Sequence, residues 1–225
     1  RMGNSEMKLH EAERKLNEIA NIKFKDLFTA EELQTIIVNK GKTGQLLELA
    51  LGMQLSNTNR DFEDGELKTN KCDETSNPKE TIFITQVSSM IDDLLQNKPF
   101  EETSLFEKID NILYVPVCKV GVPAEWSFSE SIHVDLNEER FFSLREQLHK
   151  DYDTICQLLN HHIETSEDGF IHTSNGKFMQ IRSKDSKPYH PIYSNVYGRE
   201  VSNKNHAFYF KKEFVYEIRK IVGKY

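Results

Sequence analysis

Apolar positions spaced three and four apart predict helices over residues 7–19, 29–37, 41–51 and 137–162. Thr29-x-x-Glu32 is a capping box that opens the second of these, and Lys40–Gly41 ends it. In the longest segment Phe142, Leu144, Leu148, Tyr152, Ile155 and Leu158 form a packing stripe. Residues 80–87 (ETIFITQV) alternate apolar and polar with β-branched and aromatic side chains, as a strand does, and residues 112–117 form a second, uniformly apolar strand. Polar runs at 56–60 and 71–78 break the pattern between elements. No internal repeat or low-complexity tract appears. Helices interspersed with strands predict an α/β protein.

At 225 residues the chain is one large domain or two small lobes, with 37% hydrophobic residues, enough for a proper core. No apolar run approaches the ~20 residues a membrane helix needs, and the N-terminal residues lack a signal-peptide apolar region. Cys72, Cys118 and Cys156 are scattered without a C-x-x-C pair, so neither a disulfide framework nor a zinc site is indicated and a reducing cytoplasm is expected. His161 and His162 diverge by about 100° on a helix and cannot readily share an ion.

The net charge of −7 at first argues against a nucleic-acid partner, but its distribution is asymmetric. Residues 175–225 hold 11 Lys/Arg against four Asp/Glu, a balance of +7 that leaves −14 for residues 1–174. A local positive field suffices to dock phosphates. A solvated basic tail would give the same count, yet Phe178, Tyr189, Tyr193, Tyr197, Phe208, Tyr209, Phe210 and Phe214 are interleaved with these cations, which argues for a folded lobe.

Candidate chemistry concentrates in residues 39–71, read as a helix, a polar loop and a strand. In DFEDGELK, Glu66 and Lys68 lie two apart, so an extended segment points both to one face, with Asp61 beside them on a hairpin. Two carboxylates and a lysine converging in this way suit metal-assisted phosphodiester hydrolysis. The carboxylates hold Mg²⁺ and leave positions for water and a phosphate oxygen, and the lysine orients the water or offsets developing charge. Alone, D-x4-E-x-K also fits a solvated hairpin.

KGKTGQLLE followed by DF…GELKT resembles the MutH family of DNA endonucleases, a branch of the PD-(D/E)xK nucleases that includes the mismatch-repair nicking enzyme and GATC-cutting type II restriction enzymes. The resemblance runs in order from about residue 40 to 214. It implies Asp61 and Glu66 as metal ligands, with Lys68 and Lys108 stabilising the water and phosphate and Glu48 as an auxiliary acid. The Asp–Glu spacing is two residues shorter than in MutH and similar to restriction enzymes of the MvaI and BcnI type. This leaves Asp61 or Asp64 as the ligand, with Asp61 favoured by its Asp-Phe pair. Lys40 matches a residue that touches the DNA backbone. Glu80 in Glu80-Thr-x-Phe matches a base contact, and a carboxylate can accept from cytosine N4, although a solvated Glu at the start of a strand fits equally. Arg182 and Lys184 in FMQIRSKDS match the residues expected at guanine O6/N7. Ser183 replaces a proline and Asp185 is atypical, which leaves the recognised sequence open. Tyr209 matches a tyrosine near the adenine, and Lys211 and Lys212 follow as phosphate contacts.

The resemblance therefore implies a PD-(D/E)xK restriction-endonuclease-like fold: a mixed central β-sheet flanked by helices, with two lobes forming a cleft for double-stranded DNA. Residues 1–110 would form mainly the catalytic lobe, and 111–225 would complete the sheet and the recognition lobe. The expected activity is Mg²⁺-dependent cleavage at a short sequence, GATC by resemblance, by a monomer or a transient dimer on DNA with no membrane role. Lys, Asn and Ile usage suggests an AT-rich genome and favours a restriction enzyme. A MutH-type nickase is the alternative, and a DNA-binding module that has lost hydrolysis is the reading from another class.

Overall fold

The computed structural model describes residues 7–52 and 60–224; most of the polar run expected at 56–60 lies outside them. The first helices are α1 (Leu9–Ile19), α2 (Phe24–Leu27), α3 (Ala30–Val38) and α4 (Thr43–Leu51). The strands β1 (Glu66–Cys72) and β2 (Ile82–Gln86) follow, then α5 (Ile91–Leu95), α6 (Ser104–Ile109), β3 (Asn111–Cys118), β4 (Ser127–Phe128) and β5 (Ile132–Asp135). The remainder is α7 (Phe142–Thr165), β6 (Ser174–Asn175), β7 (Met179–Ser183), β8 (Ile192–Ser194), β9 (Arg199–Ser202), β10 (His206–Phe210) and α8 (Lys212–Ile221). Among the described residues no helix is long and apolar enough to cross a membrane.

Contacts divide the chain into one unit of residues 1–81, 110–135 and 218–225 and another of residues 82–109 and 136–217. A single cut at residue 110 does not reproduce this division. β3 pairs in parallel with β1, and a parallel pair needs a crossover, so the chain leaves the first unit after residue 81 and returns at 110.

In the first unit, β3 lies between β1 on one side and the antiparallel β4 and β5 on the other, giving a mixed sheet. β1 is thus the edge of a parallel pair, a correction to the hairpin expected for the acidic segment: its Gly-containing turn leads into a strand whose partner lies 46 residues on. One sheet face carries Leu67, Leu113, Val115 and Val117. These pack with Leu9, Ala12 and Leu16 of α1, Leu46, Leu47 and Leu51 of α4, and Phe24, Phe62 and Phe128 in one apolar cluster. Period-two alternation then commits the opposite face of β1 to Glu66, Lys68 and Asn70, all buried.

Thr29 caps α3 with the reciprocal Glu32 interaction that its sequence announces. The helix stops in a Schellman motif: Gly41 N–H donates to Ile36 C=O and Lys40 N–H to Ile37 C=O, with Lys40 (φ 58°) and Gly41 (φ 61°) both left-handed. Trp126 packs on this turn so closely that a Cβ at Gly41 would lie 2.4 Å from the indole. Lys119 Nζ donates to Gly41 C=O at 2.6 Å and sits 5.2 Å from the Trp126 ring centroid, and burial lowers its pKa. Trp126 is half-buried against the apolar cluster.

The second unit is built on an antiparallel sheet in the order β2-β10-β7-β6, with α7 packed on β6 and β7 and a separate β8-β9 hairpin. Along α7 the buried stripe is Leu144, Leu148, Asp151, Tyr152, Ile155, Cys156, Leu159 and Ile163. Phe142 is half-exposed and Leu158 lies at the margin, so the stripe turns one position further round than the apolar residues alone suggest. The reason is Asp151, whose carboxylate accepts the N–H groups of Lys177, Phe178 and Met179 at 2.8, 2.7 and 3.1 Å and so fixes the start of β7. Asp92 of α5 holds the hairpin in a similar way through Ser194 Oγ, at 2.7 Å, and Asn195 N–H, at 3.0 Å.

Gly41→Ala combines a disfavoured left-handed Ala with displacement of the Trp126 ring. The expected loss is about 2 kcal/mol of stability, measured as a lower urea midpoint with an unchanged m-value; a midpoint equal to wild type would show that the ring yields freely.

Candidate active site and a cationic aromatic face

The segment Asp61–Gly65 is a tight turn fixed from several sides. Phe62 is fully buried in the apolar cluster, and its N–H donates to Gly65 C=O at 2.9 Å. Glu63 N–H donates to Met7 C=O. Gly65 lies against β3, where a Cβ would meet the Asn111 carbonyl oxygen at 2.6 Å, so only glycine allows this approach. Asn111 Nδ2 in turn donates to Asp64 C=O at 2.7 Å.

The two aspartates of the turn are thereby given different work. Asp64 Oδ1 accepts Leu9 N–H at 2.8 Å and caps α1, whose own N-cap residue, Lys8, makes no side-chain cap. Asp61 faces back towards β1: its Oδ2 accepts Leu67 N–H at 2.8 Å, and its carboxyl shares a hydrogen bond with Glu66. Burial, then the Glu66 hydrogen bond and the Glu66 charge, push Asp61 up to about pH 7, against the opposing pull of Leu67 N–H and Lys68. Asp61, Glu66 and Lys68 are therefore one electrostatically coupled group, with Glu66 and Lys68 both buried.

A carboxyl–carboxyl contact of this kind is what a hard divalent cation relieves. Two carboxylates leave room in the coordination sphere for water and phosphate oxygens, the usual arrangement for Mg²⁺. The residues present fit such an ion, although among the described residues no group of three or more His, Cys, Asp and Glu side chains is arranged to hold one.

The other expected catalytic residues fall elsewhere. Glu48 is half-buried on α4, which packs on β1, and lines a cavity of about 440 Å³ with Lys42 and Gln45. Lys108 is half-buried near the end of α6 in the second unit. Lys40 is exposed on the Schellman turn. Glu80 precedes β2 rather than starting it. Its Oε1 accepts Lys71 N–H at 2.9 Å on the outer edge of β1, and its carbonyl accepts Asn70 Nδ2 at 2.9 Å. Asn70 also accepts the buried Tyr114 hydroxyl at 2.5 Å.

In the second unit the residues expected to read bases do meet. The Arg182 guanidinium lies 4.0 Å from the Tyr209 ring centroid and the Lys184 ammonium 4.9 Å from that of Phe83. The Phe83 and Tyr209 rings stand edge to face at 5.9 Å, on directly opposed positions of β2 and β10. Arg182 sits diagonally across on β7. Phe83 is 40% exposed and was not among the expected contacts; its signal was present, because strand alternation puts Phe83 on the face away from Ile82 and Ile84. Lys211 is half-buried and spends its ammonium on Gly176 C=O at 3.2 Å, whereas Lys212, the first residue of α8, is exposed. Asp185 accepts His190 N–H at 2.7 Å and Asn205 N–H at 3.0 Å, so it shapes its loop.

The raised Asp61 pKa has a sign. The contribution of this group to stability is complete below its unfolded value of 3.8 and is lost as pH rises through about 7. Asn at this position keeps the acceptor for Leu67 and carries no charge. Asp61→Asn is therefore expected to stabilise the metal-free protein by about 2–4 kcal/mol at pH 8 and hardly at all at pH 4, read by urea denaturation in EDTA; parallel pH profiles for the two proteins would reject the coupling.

Residues 51–128 match the family model described as DNA mismatch repair enzyme MutH. No curated protein sequence matches the chain. The matched stretch contains the Asp61–Gly65 turn, all of β1, Glu80, Lys108 and β3. MutH-like nucleases are generally dependent on a divalent metal. The match supports a DNA endonuclease, and with it the assignment of this chain to the MutH-like nucleases.

Proposed function

We propose that this chain is a Mg²⁺-dependent, sequence-specific endonuclease of the type II restriction class acting on double-stranded DNA. The observation that carries the reading is the coupled Asp61–Glu66–Lys68 group at the head of β1. Asp61 and Glu66 would hold the ion. Bound there, Mg²⁺ lowers the pKa of a water and offsets charge on the phosphorus. Lys68, buried beside the carboxylates, is suited to orient the attacking water, since a burial-restricted ammonium holds one direction. Lys108 would add positive charge at the scissile phosphate, and Glu48 would support the site from α4.

Arg182, Lys184, Tyr209 and Phe83 form the face proposed to meet the bases, with Glu80 as an acceptor for a cytosine amino group. Lys40, Lys211 and Lys212 are proposed backbone contacts, Lys211 through whatever freedom its bond to Gly176 leaves. The target proposed is GATC. One catalytic segment per chain means that double-strand cleavage needs two binding events or a transient dimer on DNA. The cytoplasm is the proposed compartment, on the scattered cysteines without a C-x-x-C pair.

A MutH-type nickase uses the same residues, and the two are separated by incubating unmethylated, hemimethylated and fully methylated GATC duplexes with Mg²⁺. A restriction enzyme cuts both strands unaided, whereas strand-selective nicking that requires a mismatch-repair partner would reverse the assignment. Glu66→Ala is expected to bind DNA and cleave it at under about 1% of the wild-type rate; equal cleavage by the two proteins would reject Glu66 as a catalytic residue, and wild type that binds without cutting would leave a binding module as the function. Arg182→Ala is expected to relax specificity at one base pair by about 1–3 kcal/mol, and Lys212→Ala to weaken binding to all sequences alike. Cleavage and binding assays across single-substitution sites read both, and a uniform loss for Arg182→Ala would remove it from the base-reading face.

A further inference from the structure

A polar cavity of about 690 Å³ opens in the second unit where β2 ends, β10 begins and β7 runs out, between Gln86, Lys184 and Asn205. Asn205 is buried and is the hub of this corner. Its carbonyl accepts Lys184 N–H at 3.0 Å, its own N–H donates to Asp185 Oδ2 at 3.0 Å, and its side-chain Oδ1 accepts His206 N–H at 2.9 Å. With Oδ1 committed to an N–H, the other end of the Asn205 amide is the NH₂ group, and that NH₂ donates to Gln86 Oε1. The orientation of Gln86 follows: its carbonyl end is held by Asn205, and its NH₂ end is turned away from it.

Further donors face the cavity from the rest of the wall. Among the described residues lining it Asp185 is the one carboxylate, and its oxygens accept His190 N–H, Asn205 N–H and the His190 ring. Lys184 contributes an ammonium and Ser88 and Ser186 contribute hydroxyls. The Gln86 amide NH₂ and the Lys184 ammonium, both donors, complement an acceptor edge, and the hydroxyls can serve in either role. Backbone N–H groups hold the Asp185 carboxyl down to about pH 2, so its charge is permanent at working pH, and that charge disfavours a phosphate in the same cavity. A neutral acceptor edge meets no such penalty. Guanine offers one in the major groove as N7 and O6, whereas adenine pairs N7 with a donor that would need the Gln86 carbonyl already engaged by Asn205.

We propose that Gln86 is a specificity-determining residue, donating its Asn205-oriented amide to the acceptor edge of a guanine beside Lys184. The proposal rests on the endonuclease reading and extends it to a residue of β2 outside the proposed cationic aromatic face. It is tested with wild type, Gln86→Ala and Gln86→Glu on a panel of duplexes carrying every single base-pair substitution across the mapped cleavage site, with kcat/KM and thermal midpoint measured for each protein. Gln86→Ala, which leaves the Asn205 NH₂ to water in the open cavity, is expected to lower the thermal midpoint modestly while staying folded, and to lose about 10-fold or more of the discrimination at one G·C pair, leaving other positions as in wild type. Gln86→Glu, an acceptor, is expected to turn against guanine at that same pair. Replacing that guanine by 7-deazaguanine should slow wild type and leave Gln86→Ala unaffected. An unchanged discrimination profile, or an equal loss on every duplex, overturns the role of Gln86 while the nuclease stands. Wild type that neither binds nor cuts any duplex overturns the endonuclease reading and this one together.

Discussion

Two carboxyl groups pressed together without a cation between them are costly, and the Asp61–Glu66 contact is such a pair. A fold tolerates it only where surrounding structure leaves the groups nowhere else to go. Here Glu66 is fixed by its place in β1, whose opposite face is committed to the apolar cluster through Leu67. Asp61 is fixed by the turn before it: Phe62 is sunk in the same cluster, Gly65 is pressed onto the Asn111 carbonyl, and Asp64 is occupied by the start of α1. The apolar core thus bears the cost of holding acidic groups in contact. Without that constraint the polar face of β1 would be an ordinary sheet edge.

The second unit uses a different economy. On one face of its sheet two cations are laid over aromatic rings, Arg182 on Tyr209 and Lys184 on Phe83. A cation–π contact orients a charged group while leaving its hydrogen-bond donors for another partner, which an ion pair does not. That distinction bears on what such a face is for. Arg199 combines the two, lying 5.9 Å from the Tyr197 ring centroid while its guanidinium donates to the carbonyls of Gly169 and Glu200.

Much of this was legible from spacing. The Thr29–Glu32 box, the break at Lys40–Gly41, the two strands at 80–87 and 112–117 and the alternation that puts Glu66 and Lys68 on one face are all local properties, and each appears in the structure. What spacing could not supply were partners distant in sequence. The acidic segment looked like a hairpin because parallel pairing with β3 leaves no local mark. Asp64 accepts the N–H of Leu9, 55 residues earlier, which no local spacing announces. On α7 the expected Leu144, Leu148, Tyr152 and Ile155 are buried, but the polar Asp151 among them is not marked by spacing, because its reason for burial lies 26 residues away at Lys177.

Asn205 extends the same lesson to specificity. Taken by itself the stretch SNKNHAFYF offers a polar approach to an aromatic strand, with nothing to distinguish one asparagine from another. In the fold, Asn205 joins three strands, and each of its polar groups has a defined partner. A buried amide with both ends engaged can take only one of its two orientations, because reversing it would set two donors against each other at His206 and leave a carbonyl facing the carbonyl of Gln86. Constraint passes outward from there: a buried residue that never meets a ligand decides which end of an exposed one does. Recognition chemistry in this chain is thereby written partly in its core, where neither charge pattern nor motif would direct attention.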